Sequence, residues 1–166
     1  MQPLELLGVR LEQPANAPVL LLRELTGDGR VLPIYIGGPE AAAIALALEG
    51  EVPPRPLTHD LLRNVLVELG AEVVQVVITE LQEHTFFAEL HLRVGGTAHI
   101  VSCRPSDAVA LAVRAGTPLF AADEVLDAAG KVQATAQDGD DADESPDEIL
   151  EEFRAFIEDV KPEDFT

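Results

Sequence analysis

Residues 85–115 decide the fold of this 166-residue chain, and they read TFFAELHLRV, then GG, then TAHIVSC, then RPSDAVALAVRA. The first and third pieces alternate in polarity and are rich in β-branched and aromatic residues, which predicts strands Thr85–Val94 and Thr97–Cys103. Gly95-Gly96 is a typical two-residue hairpin turn, because glycine adopts the positive φ angles that such turns need. The last piece predicts a helix, Pro105–Ala115, with proline in its first turn and glycine after its end.

The flanking sequence adds strands and helices on both sides of this hairpin and helix. Strands and helices do not alternate strictly along the chain, so the predicted fold is α+β, with three main helices packed on a mixed or antiparallel sheet. In chain order the other predicted elements are strands Leu4–Glu12, Pro18–Leu25 and Val31–Ile36, helices Ala41–Glu49 and Thr58–Leu69, strands Glu72–Leu81 and Leu119–Ala121, and a short helix Asp123–Ala128.

The two helices before residue 70 differ in the burial that their patterns predict. The segment 41–49 is apolar almost all round, so we expect it to be buried in the domain or at an oligomer interface. In the segment 58–69 the apolar positions follow the 3.6-residue period, which predicts a half-buried helix. The amount of apolar helix surface leads us to expect a homo-oligomer.

The C-terminal segment is far more acidic than the rest of the chain. Residues 138–166 carry 13 acidic and 2 basic side chains. We expect a domain at 1–136, an acidic linker at 137–147 and a helical appendage at 148–166. Ser145-Pro146-Asp147-Glu148 has the pattern of a capping box, and an amphipathic helix with its apolar stripe at Ile149, Phe153, Phe156 and Val160 follows. This stripe is suited to docking either on its own domain or on a protein partner.

Charge and composition exclude several classes of protein. With 30 acidic and 11 basic side chains the net charge is −19, which argues against passive binding of nucleic acid. A single cysteine, Cys103, excludes an internal disulfide framework. The N-terminus lacks the pattern of a signal peptide, and no apolar run reaches the ~20 residues needed to span a bilayer. We therefore expect a cytoplasmic protein without a membrane partner.

Most standard catalytic patterns are absent from the sequence, including phosphate-binding glycine loops, HExxH, GxSxG and paired CxxC. His91 and His99 have the spacing of a metal pair, but the hairpin register places them on opposite faces. Cys103 ends an apolar strand and is predicted to be a packing residue.

A pattern at three helix starts remains, since each has a carboxylate in its first turn: Glu40, Asp60 and Asp107. Such acids are favoured by the helix dipole, and Thr58 or Ser106 is suited to capping. Two starts also carry an arginine, Arg55 and Arg104, and a cation there opposes the dipole. Two interpretations stay open: the arginines bind an anion such as phosphate, or they form ion pairs with the three acids.

Several segments around these helix starts resemble the bifunctional nuclease domain family over roughly residues 3–130. The segments are 32–37 (LPIYIG) with Glu40-Ala41, 55–61 (RPLTHDL), 85–88 (TFFA) and 104–112 (RPSDAVALA). The resemblance implies an α+β domain and a nuclease that acts on both DNA and RNA. Carried over by motif, the site residues are Glu40, Arg55, Thr58, His59, Asp60, Arg104, Ser106 and Asp107.

Two function classes follow from these residues. In a nuclease, Glu40, Asp60 and Asp107 would hold a divalent ion, Mg²⁺ or Mn²⁺, while arginines stabilise the transition state and His59 acts as general base or acid. Arg55, Thr58, Arg104 and Ser106 would then bind substrate. In the alternative, a non-catalytic oligomeric interaction or regulatory module, the same Arg and Asp residues only hold the helix starts together.

Overall fold

The computed structural model describes residues 1–132, and these form seven strands and four helices in an α+β arrangement, as predicted. The predicted acidic linker 137–147 and C-terminal helix 148–166 lie outside the described residues. The described elements are β1 (Gln2–Glu12), β2 (Ala17–Glu24), β3 (Val31–Tyr35), α1 (Gly38–Leu48), α2 (Thr58–Glu68), β4 (Ala71–Gln82), β5 (Thr85–Val94), β6 (Thr97–Cys103), α3 (Pro105–Ala115), β7 (Leu119–Ala121) and α4 (Asp123–Ala129).

Within the described chain, all the strands join one mixed sheet in the order β3-β2-β1-β7-β4-β5-β6. Neighbouring strands are antiparallel except β4 and β7, which run parallel. The short strand β7 therefore joins two antiparallel halves, and β3 and β6 form the two edges of the sheet.

The core lies between the helices and one face of this sheet. Leu22 and Ile78 from the strands, Ile44 from α1, Leu111 from α3 and Leu126 from α4 are all fully buried in it. Helix α1 packs over β1 and β2, whereas α3 packs over β4 and β5 and contacts both α1 and α2. This packing allows the first turns of α1 and α2 to lie close to the first turn of α3.

The hairpin and the helix after it form as the sequence predicts. Leu92 lies opposite His99, and His91 lies opposite Ile100, so the two histidines lie on opposite faces of the sheet. Helix α3 has the predicted bounds, and Gly116 follows it with a φ of 64°, the left-handed conformation that glycine adopts readily. None of the described helices is long and apolar enough to cross a membrane.

Helix α1 is packed inside the domain, where Ala41, Ala43 and Ile44 are buried. It begins at Gly38, three residues earlier than the apolar pattern indicated, because Pro39 fits the first turn of a helix. Contacts within the domain therefore bury most of the apolar surface of this helix.

The prediction of a half-buried α2 is wrong. Of its side chains only His59 is buried, and Leu66 is partly buried against the core. Helix α2 packs mainly on α3 and β4, and most of its apolar side chains face away from the domain. The side chains left 39–69% exposed are Leu61, Leu62, Val65, Val67 and Leu69.

Candidate active site

Arg104 and Asp107 form the centre of the candidate site at the start of α3. Arg104 follows β6 directly and is the N-cap residue of α3. Its Nε donates to one carboxylate oxygen of Asp107 at 2.7 Å, and its Nη2 donates to the other at 3.1 Å. This two-point contact fixes the plane of the guanidinium group.

Helix α1 adds a second carboxylate to Arg104. Nη2 of Arg104 lies 2.9 Å from Oε1 of Glu40, in the first turn of α1. The side chain of Glu40 is 17% exposed, but that of Arg104 is 65% exposed, so its outer edge remains open to a ligand. Nη1 of Arg104 has no partner within residues 1–132.

Helix α2 adds a histidine. Nε2 of His59 lies 3.0 Å from Oδ1 of Asp107, and the residue is only 9% exposed. Nδ1 of His59 has no partner within the described chain, where no fully buried polar side-chain atom lacks a partner. Nδ1 therefore reaches the protein surface. Glu40, His59, Arg104 and Asp107, from three helix starts, are called the Arg104 cluster below.

The cluster keeps Asp107 ionised. Burial raises the pKa of Asp107, but hydrogen bonds from Arg104 and His59 outweigh burial and bring that pKa below the ordinary aspartate value. The same contact with Asp107 raises the pKa of Arg104. At neutral pH, Asp107 is an anion that accepts hydrogen bonds, and Arg104 is a cation.

Asp60 forms a separate ion pair. It accepts a hydrogen bond from Nε of Arg114, whose side chain is 8% exposed, and another from the backbone N–H of Leu57 at 2.9 Å. The bond from Arg114 lowers the pKa of Asp60. Arg114 is not among the site residues predicted from the sequence, although its place in the last turn of α3, where cations are favoured, is a signal for it.

The remaining site candidates make fewer contacts. Arg55 is exposed and forms no ion pair or hydrogen bond with any described residue. Thr58 is exposed and Ser106 is 6% exposed, and neither is the N-cap residue of its helix, since those residues are Leu57 and Arg104. The ion-pair interpretation thus holds for Arg104, and Asp60 pairs with Arg114 instead of Arg55.

Each of the three predicted metal ligands forms an ion pair with an arginine. Glu40 and Asp107 contact Arg104, whereas Asp60 contacts Arg114. Within residues 1–132, no three acidic, histidine or cysteine side chains are grouped so that they could hold a metal ion. This arrangement does not fit a metal site built from these three carboxylates.

The sequence of this chain matches a known protein family. The family model described as "Bifunctional nuclease domain" matches residues 20–134, more than two thirds of the chain. The chain belongs to the bifunctional nuclease domain family. All four members of the Arg104 cluster lie within the matched residues.

Relatives of this bifunctional nuclease domain protein occur in bacteria and plants. An uncharacterized protein of Mycobacterium tuberculosis is 46% identical over 165 residues, which cover 99% of this chain and 98% of the relative. Bifunctional nuclease 1 of Arabidopsis thaliana is 30% identical over 115 residues, 68% of this chain and 35% of the plant protein. Bifunctional nuclease 2 of Oryza sativa subsp. japonica is 28% identical over a similar share. The bacterial similarity includes the acidic C-terminal segment, which lies beyond the family match.

Proposed function

We propose that this chain is a nuclease that hydrolyses phosphodiester bonds in DNA and RNA at the Arg104 cluster. The observation that supports it best is the 3.0 Å contact between His59 and Asp107 beside the exposed Arg104. A histidine oriented by a carboxylate and placed next to an exposed guanidinium supplies a base and an anion-binding group together. Membership of the family and the names of the plant relatives agree with this activity.

Arg104 would bind the phosphate. Nε and Nη2 hold Asp107 and Glu40, which leaves the two N–H groups of Nη1 for a phosphoryl oxygen. The backbone N–H groups of Ser106 and Asp107 precede the first hydrogen bond of α3, from Ala108 N to Arg104 O at 3.1 Å. Free amides at a helix start favour an anion, so they add to the same site.

His59 would activate water. Asp107 accepts the hydrogen bond from Nε2–H, which leaves the Nδ1 lone pair at the surface as a base. Nδ1 takes a proton from the attacking water as its oxygen bonds to phosphorus. The bond to the leaving oxygen then breaks, and the proton on Nδ1 passes to that oxygen, which restores His59.

The charge balance of the Arg104 cluster limits the affinity for substrate. Two carboxylates face one guanidinium, so the cluster is negative while His59 is neutral. The net charge of −19 adds long-range repulsion. We therefore expect weak binding of nucleic acid that weakens further at low ionic strength, where repulsion is least screened. Dependence on Mg²⁺ or Mn²⁺ stays a prediction.

Cleavage of labelled single-stranded RNA and DNA by highly purified protein tests the proposal, with Mg²⁺, Mn²⁺ or a chelator. Asp107→Asn should lower kcat/KM at least about 100-fold, since it removes the anion that orients His59. Glu72→Gln is the matched control, because Glu72 pairs with Arg93 on the exposed sheet surface. His59→Gln should lower kcat/KM about as much as Asp107→Asn does. Asp60→Asn should lower kcat/KM less. Circular dichroism confirms that each variant is folded.

The alternative function, a non-catalytic oligomeric interaction or regulatory module, is favoured by one observation. Each carboxylate among the predicted site residues is already bound to an arginine, as expected for a purely structural connection between helices. Equal traces of cleavage by wild type, Asp107→Asn and His59→Gln would identify the activity as a contaminant and leave this function in its place.

A further inference from the structure

Within residues 1–132, strand β6 forms an unprotected edge of the sheet. Its sequence, Thr97 to Cys103, contains no acidic residue, no lysine or arginine, and no proline or glycine. Six of its seven residues are exposed, including Ile100 at 60% and Val101 at 45%. About half of the backbone N–H and C=O groups of an edge strand point away from its neighbour, here β5, and lack a partner strand. Natural proteins normally block such an edge with charges, proline or a bulge.

The opposite edge, β3, is blocked in three ways. It has only five residues and contains Pro33, which cannot donate a backbone hydrogen bond. Its first residue, Val31, exchanges two backbone hydrogen bonds with Lys131, at 2.8 and 2.9 Å. Helix α4 also packs against β3. The two edges of the described sheet therefore differ, and of these two only β6 is suited to strand addition.

The C-terminal segment of the same chain does not complement β6 in charge. That segment has 13 acidic residues, and β6 has no lysine or arginine to attract them. An uncharged strand edge fits β6 better, and a second copy of this chain offers one in its own β6.

We propose that β6 is the interface at which a second copy of this chain binds, by antiparallel pairing of β6 with β6 around a twofold axis at Ile100. In this register Ile100 faces its own copy, and Val101 faces His99 of the partner subunit. Ser102 then faces Ala98 of the partner subunit, and Cys103 faces Thr97 of the partner subunit. Apolar side chains meet at the centre, and small or polar ones meet at both ends. No acidic side chain of β6 is brought against another.

This pairing closes after two copies. The same strand is used on both sides, so the interface is isologous, and the blocked β3 edge prevents further addition into a filament. Val101 shares the helix-covered face of the sheet with Leu90. The end of β6 also leads directly into Arg104, so the dimer contact would adjoin the Arg104 cluster.

Sedimentation equilibrium on the full-length protein tests the interface. Wild type should be a dimer, and Ile100→Lys should raise the dimer dissociation constant at least about 100-fold, since two like charges would face each other at the axis. Leu25→Lys is the matched control, because Leu25 is 58% exposed and lies outside β6. It should remain a dimer.

A second variant identifies the register. Ile100→Cys should form an intermolecular disulfide on mild oxidation, because directly opposed Cβ atoms in paired strands lie within disulfide reach. Leu25→Cys should not form this disulfide. The wild-type protein shows whether Cys103 forms one by itself. A monomeric wild type would overturn the proposal. A dimer that survives Ile100→Lys unchanged and does not cross-link through Ile100→Cys would overturn it as well, since its interface would lie elsewhere.

Discussion

Replacing Arg114 with methionine should destabilise the protein by about 2 kcal/mol, because it leaves the carboxylate of Asp60 without its cation. The side chains of Arg114 and Asp60 are 8% and 24% exposed, so the pair lies between surface and interior. Exposed pairs contribute about 0.2 to 1 kcal/mol, and removing one partner of a buried pair costs about 3 to 5 kcal/mol. In a chain of this length, about 2 kcal/mol corresponds to a fall in Tm of about 4 to 8 °C.

Thermal and urea unfolding of four proteins measures this contribution: wild type, Arg114→Met, Asp60→Asn and the double variant. The double-mutant cycle should give a coupling energy of about 1 kcal/mol or more, since the two groups are in direct contact. Arg93→Met is the matched control. Arg93 and Glu72 are 53% and 62% exposed, so this change should cost less than about 1 kcal/mol.

The coupling energy between Asp60 and Arg114 should also depend on pH in a defined direction. Arg114 lowers the pKa of Asp60, so the pair stabilises the protein fully above the ordinary aspartate pKa. That contribution is lost as the pH falls through the lowered pKa of the folded state, and the coupling energy should fall with it. A coupling energy near zero at neutral pH would refute the assignment of Asp60 to Arg114.

Three further predictions concern other parts of the molecule. Arg30 lowers the pKa of the buried Glu24, so acid unfolding should lose part of its pH dependence in Glu24→Gln, and an unchanged acid-unfolding curve would contradict this. Burial raises the pKa of Cys103 to about 11, so a thiol-alkylating reagent should label it slowly at neutral pH, and free-thiol rates would contradict the assignment. Val67→Lys on the exposed side of α2 should change the free energy of unfolding by less than about 0.5 kcal/mol, whereas Ile44→Ala in α1 should cost about 2 to 5 kcal/mol. A large loss of stability in Val67→Lys would show that this side of α2 is packed against another surface.

Local sequence patterns were sufficient for the elements and for part of the site. The Gly95-Gly96 turn and the alternation around it determine the register of β5 and β6, because a two-residue turn leaves one pairing. The bounds of α3 follow from Pro105 and Gly116, which act within one helical turn. The motifs at the helix starts identify Glu40, His59 and Asp107, which the structure brings around Arg104.

Only the tertiary structure decided which charged groups pair and which apolar faces stay exposed. Asp60 lies five residues from Arg55 in the sequence, yet it pairs with Arg114, which α3 places beside the start of α2. The period of α2 predicts an apolar face but not what covers it, because that depends on how α3 and β4 are placed beside the helix. Turn chemistry and periodicity act over a few residues, whereas ion pairs and burial depend on distances between elements that are far apart along the chain.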